Sequence, residues 1–270
     1  MLIYPKIDPI AFSLGPIKFH WYGLMYVLSF TFFVYAAKWR LKKYGHPVMT
    51  AKLVDDFLLS GILGTVIGGR LGFCLFYQPA YYLSHPLDML KTWDGGMSFH
   101  GGMIGVFVAI YWFSRKIKSN FFVISDFVAP FIPICLLFGR IGNFINGELW
   151  GRLCSPNLPW GMVFPDSGTM LPRHPSQLYE AFAEGIVLFI IMLIYAGSKQ
   201  RKLGQTSGVF MIGYGLARFC LEFFREPDSF ATGVVQMTGL SLGQFYSFPM
   251  ILAGILILWW GSKSKTNLKH

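Results

Sequence analysis

Seven apolar runs, each long enough to cross a bilayer, constrain this 270-residue chain more than any other feature. They fall at about residues 19–37, 53–76, 98–114, 121–139, 177–197, 207–225 and 244–261. A helix needs roughly 20 mostly apolar residues to span the hydrocarbon core. Composition agrees: 54% of residues are hydrophobic and only 13% charged, half the charge of an average soluble protein. The expectation is an all-α integral membrane protein, a single polytopic domain over 1–270 with seven transmembrane helices. The formal charge of +10 does not imply nucleic acid, because the basic residues cluster in short loops between apolar runs.

Those clusters set an orientation. Lys38, Arg40, Lys42, Lys43, Lys52, Arg115, Lys116, Lys118, Lys199, Arg201, Lys202, Lys263, Lys265 and Lys269 fall on one side. Only Lys6, Lys18, Lys91, Arg152 and Arg173 fall in the opposite loops. The positive-inside rule then places the N-terminus outside and the C-terminus in the cytoplasm. The outer loops, about 77–97, 151–176 and 226–243, are long and rich in Pro, Gly and aromatics, so the chemistry is expected there.

Four arginines remain, Arg70, Arg140, Arg218 and Arg225, in or at the ends of spans. Snorkelling to headgroups accounts for Arg225 and Arg140. It accounts poorly for Arg70 and Arg218, which apolar residues flank on both sides, and charge at such depth usually serves function.

The densest polar segment is residues 139–151, GRIGNFINGELWG. Arg140 offers a planar fork for phosphate or carboxylate, Asn143 and Asn146 donors and acceptors, and Glu148 a carboxylate. The glycines, Gly151 among them, let the backbone turn and approach a ligand. In the sixth run Tyr214, Arg218, Glu222 and Arg225 are spaced four, four and three apart, one stripe of a helix. A structural ion pair needs one cation here, yet there are two. The surplus suggests an anionic ligand such as a phospholipid headgroup, clamped with help from Arg140. Ser98 is a plausible N-cap after the Asp94 to Gly96 turn, which puts His100 in a first helical turn, able to move a proton near neutral pH. The alternative is an idle interfacial histidine. Glu180 and Glu184, one turn apart after Arg173 to Ser176, divide between helix capping and a site role. Tyr22 follows the interfacial Trp21 and precedes Gly23. Cys74, Cys135, Cys154 and Cys220 have no CxxC spacing, so neither a disulfide framework nor a zinc site is expected.

Segment 139–151 closely resembles the signature of bacterial prolipoprotein diacylglyceryl transferases. So do His100-Gly-Gly, His174 to Glu180 (HPSQLYE), Tyr214-Gly-x-x-Arg218, Glu222 to Asp228 (EFFREPD) and Trp21 to Tyr26 (WYGLMY). The resemblance implies a bacterial inner-membrane enzyme with seven spans, a periplasmic N-terminus and an active site toward the periplasm. It implies transfer of the sn-1,2-diacylglyceryl group of phosphatidylglycerol to the lipobox cysteine of a prolipoprotein signal peptide, with release of glycerol 1-phosphate. It marks His100, Arg140, Asn143, Glu148, Tyr214, Arg218, Glu222 and Arg225 as important, with Tyr22 behind them. No metal or diffusible cofactor is expected, since phosphatidylglycerol is a substrate. His100 is the first choice of base for the thiol and Tyr214 its competitor. The rival reading is a transporter or flippase for an anionic lipid.

Overall fold

The computed structural model describes residues 2–92, 95–197, 201–227, 237–263 and 267–268. Asp94, Lys199, Asp228, Lys265, Lys269 and much of the expected 226–243 loop lie outside the described residues. Helix dominates, and each apolar run is largely helical. The helices are α1 (Trp21–Tyr44), α2 (Ala51–Phe76), the short α3 (Pro79–Ser84), α4 (Phe99–Lys116), α5 (Phe121–Val128), α6 (Ile132–Ile145), α7 (Ser176–Glu180), α8 (Leu188–Ala196), α9 (Gln205–Leu221) and α10 (Leu242–Lys263). Among the described residues, four helical segments are long and apolar enough to cross a membrane: Ala51–Phe76, Phe121–Ile145, Ser176–Ala196 and Leu242–Lys263. The other three runs are helical but less apolar or shorter. α1 is interrupted by Tyr22, Tyr26 and Tyr35, α4 ends on Arg115 and Lys116, and α9 has 17 residues.

The chain packs as two compact units, residues 1–36 with 128–269, and residues 37–127. In the second, α2 and α4 meet along glycines. A Cβ at Gly72 would lie 2.6 Å from the Gly101 Cα, and one at Gly64 would lie 2.9 Å from the Gly105 carbonyl carbon. Small residues four apart let two apolar helices touch backbone to backbone, where dispersion replaces the absent hydrophobic drive. Thr50 caps α2, its side chain accepting from the Leu53 N–H at 3.3 Å.

In the first unit, α9 packs on α10 in the same way, a Cβ at Gly208 lying 2.9 Å from the Gly254 carbonyl oxygen. The fourth run is not one uniform helix. A 3-10 turn, Ala129–Phe131, separates α5 from α6, where Pro130 and Pro133 supply no N–H to the ladder. α6 then runs six residues past the expected end, so Arg140 and Asn143 sit inside a helix and not in a turn after it. The turn comes later, at Gly147 (φ 64°) and Leu149 (φ 57°). Between α7 and α8 the helix widens into a π segment, Ala181–Val187. The sixth run ends early: α9 stops at Leu221, and Arg225 lies in a β-bridge with Gly151. Pro227 just beyond favours extended backbone before it.

Three two-stranded ribbons complete the description. β1 (Leu2–Ile3) runs parallel to β4 (Met162–Val163), β2 (Ile10–Leu14) pairs with β3 (Ile17–His20), and β5 (Arg201–Lys202) with β6 (Asn267–Leu268). The first ribbon seats Tyr4, whose hydroxyl donates to the Ile145 carbonyl at 2.6 Å, against Phe144, Trp150, Met162 and Phe164. This small apolar cluster ties the 146–175 segment to the end of α6.

Candidate active site

Three helices bring five charged side chains together. Arg140 comes from α6, Glu180 from the end of α7 and Glu184 from the π segment. Arg218 lies on α9 and Glu222 at its C-cap, one turn apart. Close approach makes this possible: a Cβ at Gly185 would sit 2.8 Å from Leu137 of α6, and one at Gly213 would sit 2.6 Å from Leu188 of α8. A π turn inside an α-helix is uncommon and recurs at functional sites.

Glu180 bridges the two arginines. Its Oε2 lies 2.9 Å from Arg140 Nε and its Oε1 accepts from Arg218 Nη1 at 2.9 Å. Glu184 stands 3.2 Å from Arg140 Nη2 and 3.6 Å from Arg218 Nη1. Glu222 completes the set at 2.8 Å from Arg218 Nη2. The arginine side chains are 12% exposed, and those of Glu180 and Glu184 are 1% and 0%.

The spacing of the sixth run had implied a surplus of positive charge. The surplus is cancelled. Arg140 and Arg218 face three carboxylates, Glu180, Glu184 and Glu222. The balancing carboxylates come from a neighbouring helix, so no stripe on α9 could have shown them. The sequence leaves Glu180 and Glu184 divided between helix capping and a site role. Their i, i+4 spacing, just inside an apolar run, was the available signal.

A second polar group lies at the end of α6. Asn143 Nδ2 donates to Glu148 Oε1 at 2.8 Å, and Asn146 Nδ2 to the same oxygen at 3.3 Å. Gln177 Nε2 donates to the Glu148 carbonyl at 2.6 Å, and Ser176 Oγ to that of Leu149 at 3.0 Å. The start of α7 therefore holds the turn that presents the Glu148 carboxylate. Gly151 is a glycine for packing: a Cβ there would lie 2.5 Å from both the His174 and Phe224 carbonyl oxygens. Arg225 has left the helical stripe, and its carbonyl accepts from Arg152 Nε at 2.9 Å. Tyr22 presses on Gly142, where a Cβ would be 2.8 Å from its ring, and stacks edge-on against Tyr26 at 5.3 Å. Tyr214 is buried in an apolar cluster with Ala129, Leu188 and Met192, its ring stacked on Phe210.

The cap around the site carries perturbed groups outside the helices, among them Cys154, raised by burial, and His174. His174 bonds the Tyr179 hydroxyl through Nδ1 at 3.0 Å, and Trp160 Nε1 donates to that hydroxyl at 2.8 Å. Burial pulls the His174 imidazole below its ordinary value.

In the unit of residues 37–127, His100 is exposed in the first turn of α4, behind the Ser98 N-cap whose Oγ accepts from the Gly101 N–H at 3.2 Å. Arg70, also there, is 4% exposed. Its guanidinium donates to the carbonyls of Asp88 at 2.7 Å, Met89 at 3.0 Å and Gly96 at 3.3 Å, and also to Gly95. It lies 5.3 Å from the centre of the Tyr82 ring. Backbone oxygens occupy its fork, so Arg70 is a clamp on the loop before α4. All four cysteines are free.

Comparison with known proteins places this geometry. The model of the prolipoprotein diacylglyceryl transferase family matches residues 9–260. A protein of Polaromonas sp. named phosphatidylglycerol–prolipoprotein diacylglyceryl transferase is 52% identical over 269 residues, covering 97% of this chain and 96% of its own. Proteins of the same name from Bordetella parapertussis and Nitrosomonas europaea are 54% and 51% identical. They cover 94% and 96% of this chain, and 95% and 92% of their own.

Proposed function

The chain belongs to the prolipoprotein diacylglyceryl transferase family, and from that premise we propose that it transfers the sn-1,2-diacylglyceryl group of phosphatidylglycerol to the lipobox cysteine of prolipoproteins. A sulfur–carbon bond forms at the glyceryl carbon and the carbon–oxygen bond to phosphate breaks. The thiol gives up its proton, and glycerol 1-phosphate leaves.

The observation that carries this reading is the convergence of two guanidiniums from α6 and α9 on one carboxylate, 2.9 Å from each. Two planar forks held side by side in a dry setting suit a phosphate whose bridging oxygen is gaining charge. Arg140 and Arg218 bind the headgroup phosphate and offset that charge. Glu222 and Arg225 hold Arg218 in place. Asn143 and Glu148, already joined by a hydrogen bond, bind the headgroup hydroxyls, with the turn ended by Gly151 fixing their position. Tyr22, packed on Gly142 two residues beyond Arg140, walls the lipid. The thiol needs a base to become a competent nucleophile. His100 is the first candidate because its imidazole is exposed and can take a proton. Tyr214 is the second.

The same reading carries a topology. α1, α4 and α9 join the four more apolar segments to make seven spans in the bacterial inner membrane. α9 rises about 26 Å at 1.5 Å per residue, close to the ~30 Å hydrocarbon core. The bias of Lys and Arg puts the N-terminus in the periplasm and the C-terminus in the cytoplasm. The arginine cluster and the 146–175 segment then face the periplasmic side.

The test is Arg140→Ala and Arg218→Ala, each with its lysine counterpart, assayed with phosphatidylglycerol and a lipobox peptide in detergent. Alanine should cost at least about 100-fold in turnover, the scale for losing a charge-stabilising group. Lysine should restore little, because it lacks the fork. Turnover within a few-fold of wild type for either alanine variant would remove the clamp.

A further inference from the structure

The charge balance around the arginines poses a problem for any anionic lipid. Two guanidiniums already meet three carboxylates in a nearly dry cluster. A phosphodiester would add one negative charge and would compete for the same N–H edges. An uncompensated buried charge costs several kcal/mol. A carboxylate can avoid that cost by taking a proton and ceasing to be an ion.

The geometry points to which one. Glu180 has a guanidinium nitrogen at 2.9 Å on each oxygen, and Glu222 has one at 2.8 Å. Glu184 is held at the longest distances: it accepts from Arg140 Nη2 at 3.2 Å and stands 3.6 Å from Arg218, beyond hydrogen-bond range. Its Oε1 is buried and accepts no hydrogen bond, as is true of one oxygen each of Glu180 and Glu222, so it is distance that sets Glu184 apart. It is also flanked by both forks, so a phosphate that spans Arg140 and Arg218 must take the place of Glu184 first.

We propose that Glu184 is a positioning carboxylate that keeps Arg140 and Arg218 oriented in the empty site and takes up one proton when the lipid phosphate replaces it there. The proton comes from solvent and sits on a Glu184 oxygen, so the cluster gains no net charge. The groups that face Glu184 are Arg140 from α6, Arg218 and Tyr214 from α9, and Glu180 from its own helix. Glu222 and Arg225 act one contact further out. Glu180 and Glu222 keep their arginines in this exchange, which preserves the fork while the third carboxylate steps aside. This rests on the clamp proposed above.

Proton uptake can be counted without turnover. The detergent-solubilised full chain is titrated with short-chain phosphatidylglycerol by calorimetry, with no acceptor peptide, in buffers of different ionisation enthalpy. Wild type should take up about one proton per lipid near neutral pH, and its affinity should fall toward tenfold per pH unit as pH rises. Glu184→Gln should bind with no uptake and a flat pH profile, whereas Glu184→Asp should keep both. A merely structural Glu184 would leave the uptake and the slope in place. Nil uptake by wild type, or unchanged uptake by Glu184→Gln, overturns the inference; the wild-type count stands even where the glutamine variant fails to fold. Arg140→Ala and Arg218→Ala distinguish the two failures. Lipid binding lost in both, with nil uptake in wild type, sinks only the proton exchange, while binding retained in both sinks the clamp itself.

Discussion

Glu180→Ala is the most exacting perturbation of the cluster, because one side chain serves both arginines. Its two oxygens lie 2.9 Å from Arg140 Nε and 2.9 Å from Arg218 Nη1, and its side chain is 1% exposed. At such a distance and an effective dielectric near 20, each pair attracts by about 6 kcal/mol before desolvation is counted. The measured cost of orphaning one partner of a buried pair is about 3–5 kcal/mol. The lower end applies here, since Arg218 keeps Glu222 at 2.8 Å and Arg140 keeps Glu184 at 3.2 Å. A loss of about 3 kcal/mol lowers the folded-to-unfolded ratio more than 100-fold. Equilibrium unfolding in mixed micelles, followed by tryptophan fluorescence, measures it. The cycle with Arg140→Ala is the decisive part. In the double variant the orphaned guanidinium is gone, so the two losses should fall short of adding by about 1–3 kcal/mol. Additive losses, or a Glu180→Ala cost under about 0.5 kcal/mol, would refute the claim that Glu180 organises the arginines.

Two other measurements address parts of the molecule away from that cluster. Gly105→Ala should destabilise by about 1–3 kcal/mol, because its methyl would run into the Gly64 carbonyl, while Gly139→Ala, with nothing within 4 Å of the added carbon, should be neutral or slightly stabilising. Equal effects of the two in a thermal scan would mean that glycine contact does not set the α2–α4 distance. His174 supplies a pH test: burial depresses its imidazole, so the unfolded chain binds the proton first as pH falls, and the stability it contributes is present above an ordinary value of about 6.5 and lost below it. Protection against hydrogen exchange in the 146–175 segment, corrected for the intrinsic pH dependence of exchange, should therefore fall on acidification from pH 7 toward 5, and His174→Gln should flatten that profile; an unchanged profile would assign the effect to another group.

The helices were legible in the sequence because bilayer length and apolarity act on every residue of a run. The details that escaped were those set by a few atoms. Proline at 130 and 133 broke the fourth run into two helices, and α9 ended at Leu221, leaving Arg225 off the stripe in a β-bridge with Gly151. Glycine carried the least information about its own use. Gly142 admits the Tyr22 ring, Gly151 admits two carbonyls, Gly139 borders open space, and nothing in the letter separates the three. Arg70 illustrates the same limit for charge: its depth was visible, but the carbonyls that fill its fork come from a loop some twenty residues downstream.

The arginine cluster shows why a one-helix count of charges misleads. On α9 alone, Arg218, Glu222 and Arg225 leave one cation over, and an anion seems required to satisfy it. The fold supplies Glu180 and Glu184 from the helix packed alongside, so both clustered guanidiniums already have carboxylate partners. A site with paired cations still binds a phosphate, but by exchange and not by simple attraction, since each new contact must displace an old one. Exchange ties affinity to pH, which attraction to a bare cation pair would not do in the range where arginine and a phosphodiester both stay charged. The pH dependence of lipid binding therefore decides between the two pictures, and it does so in a range where the enzyme's substrates keep their charge.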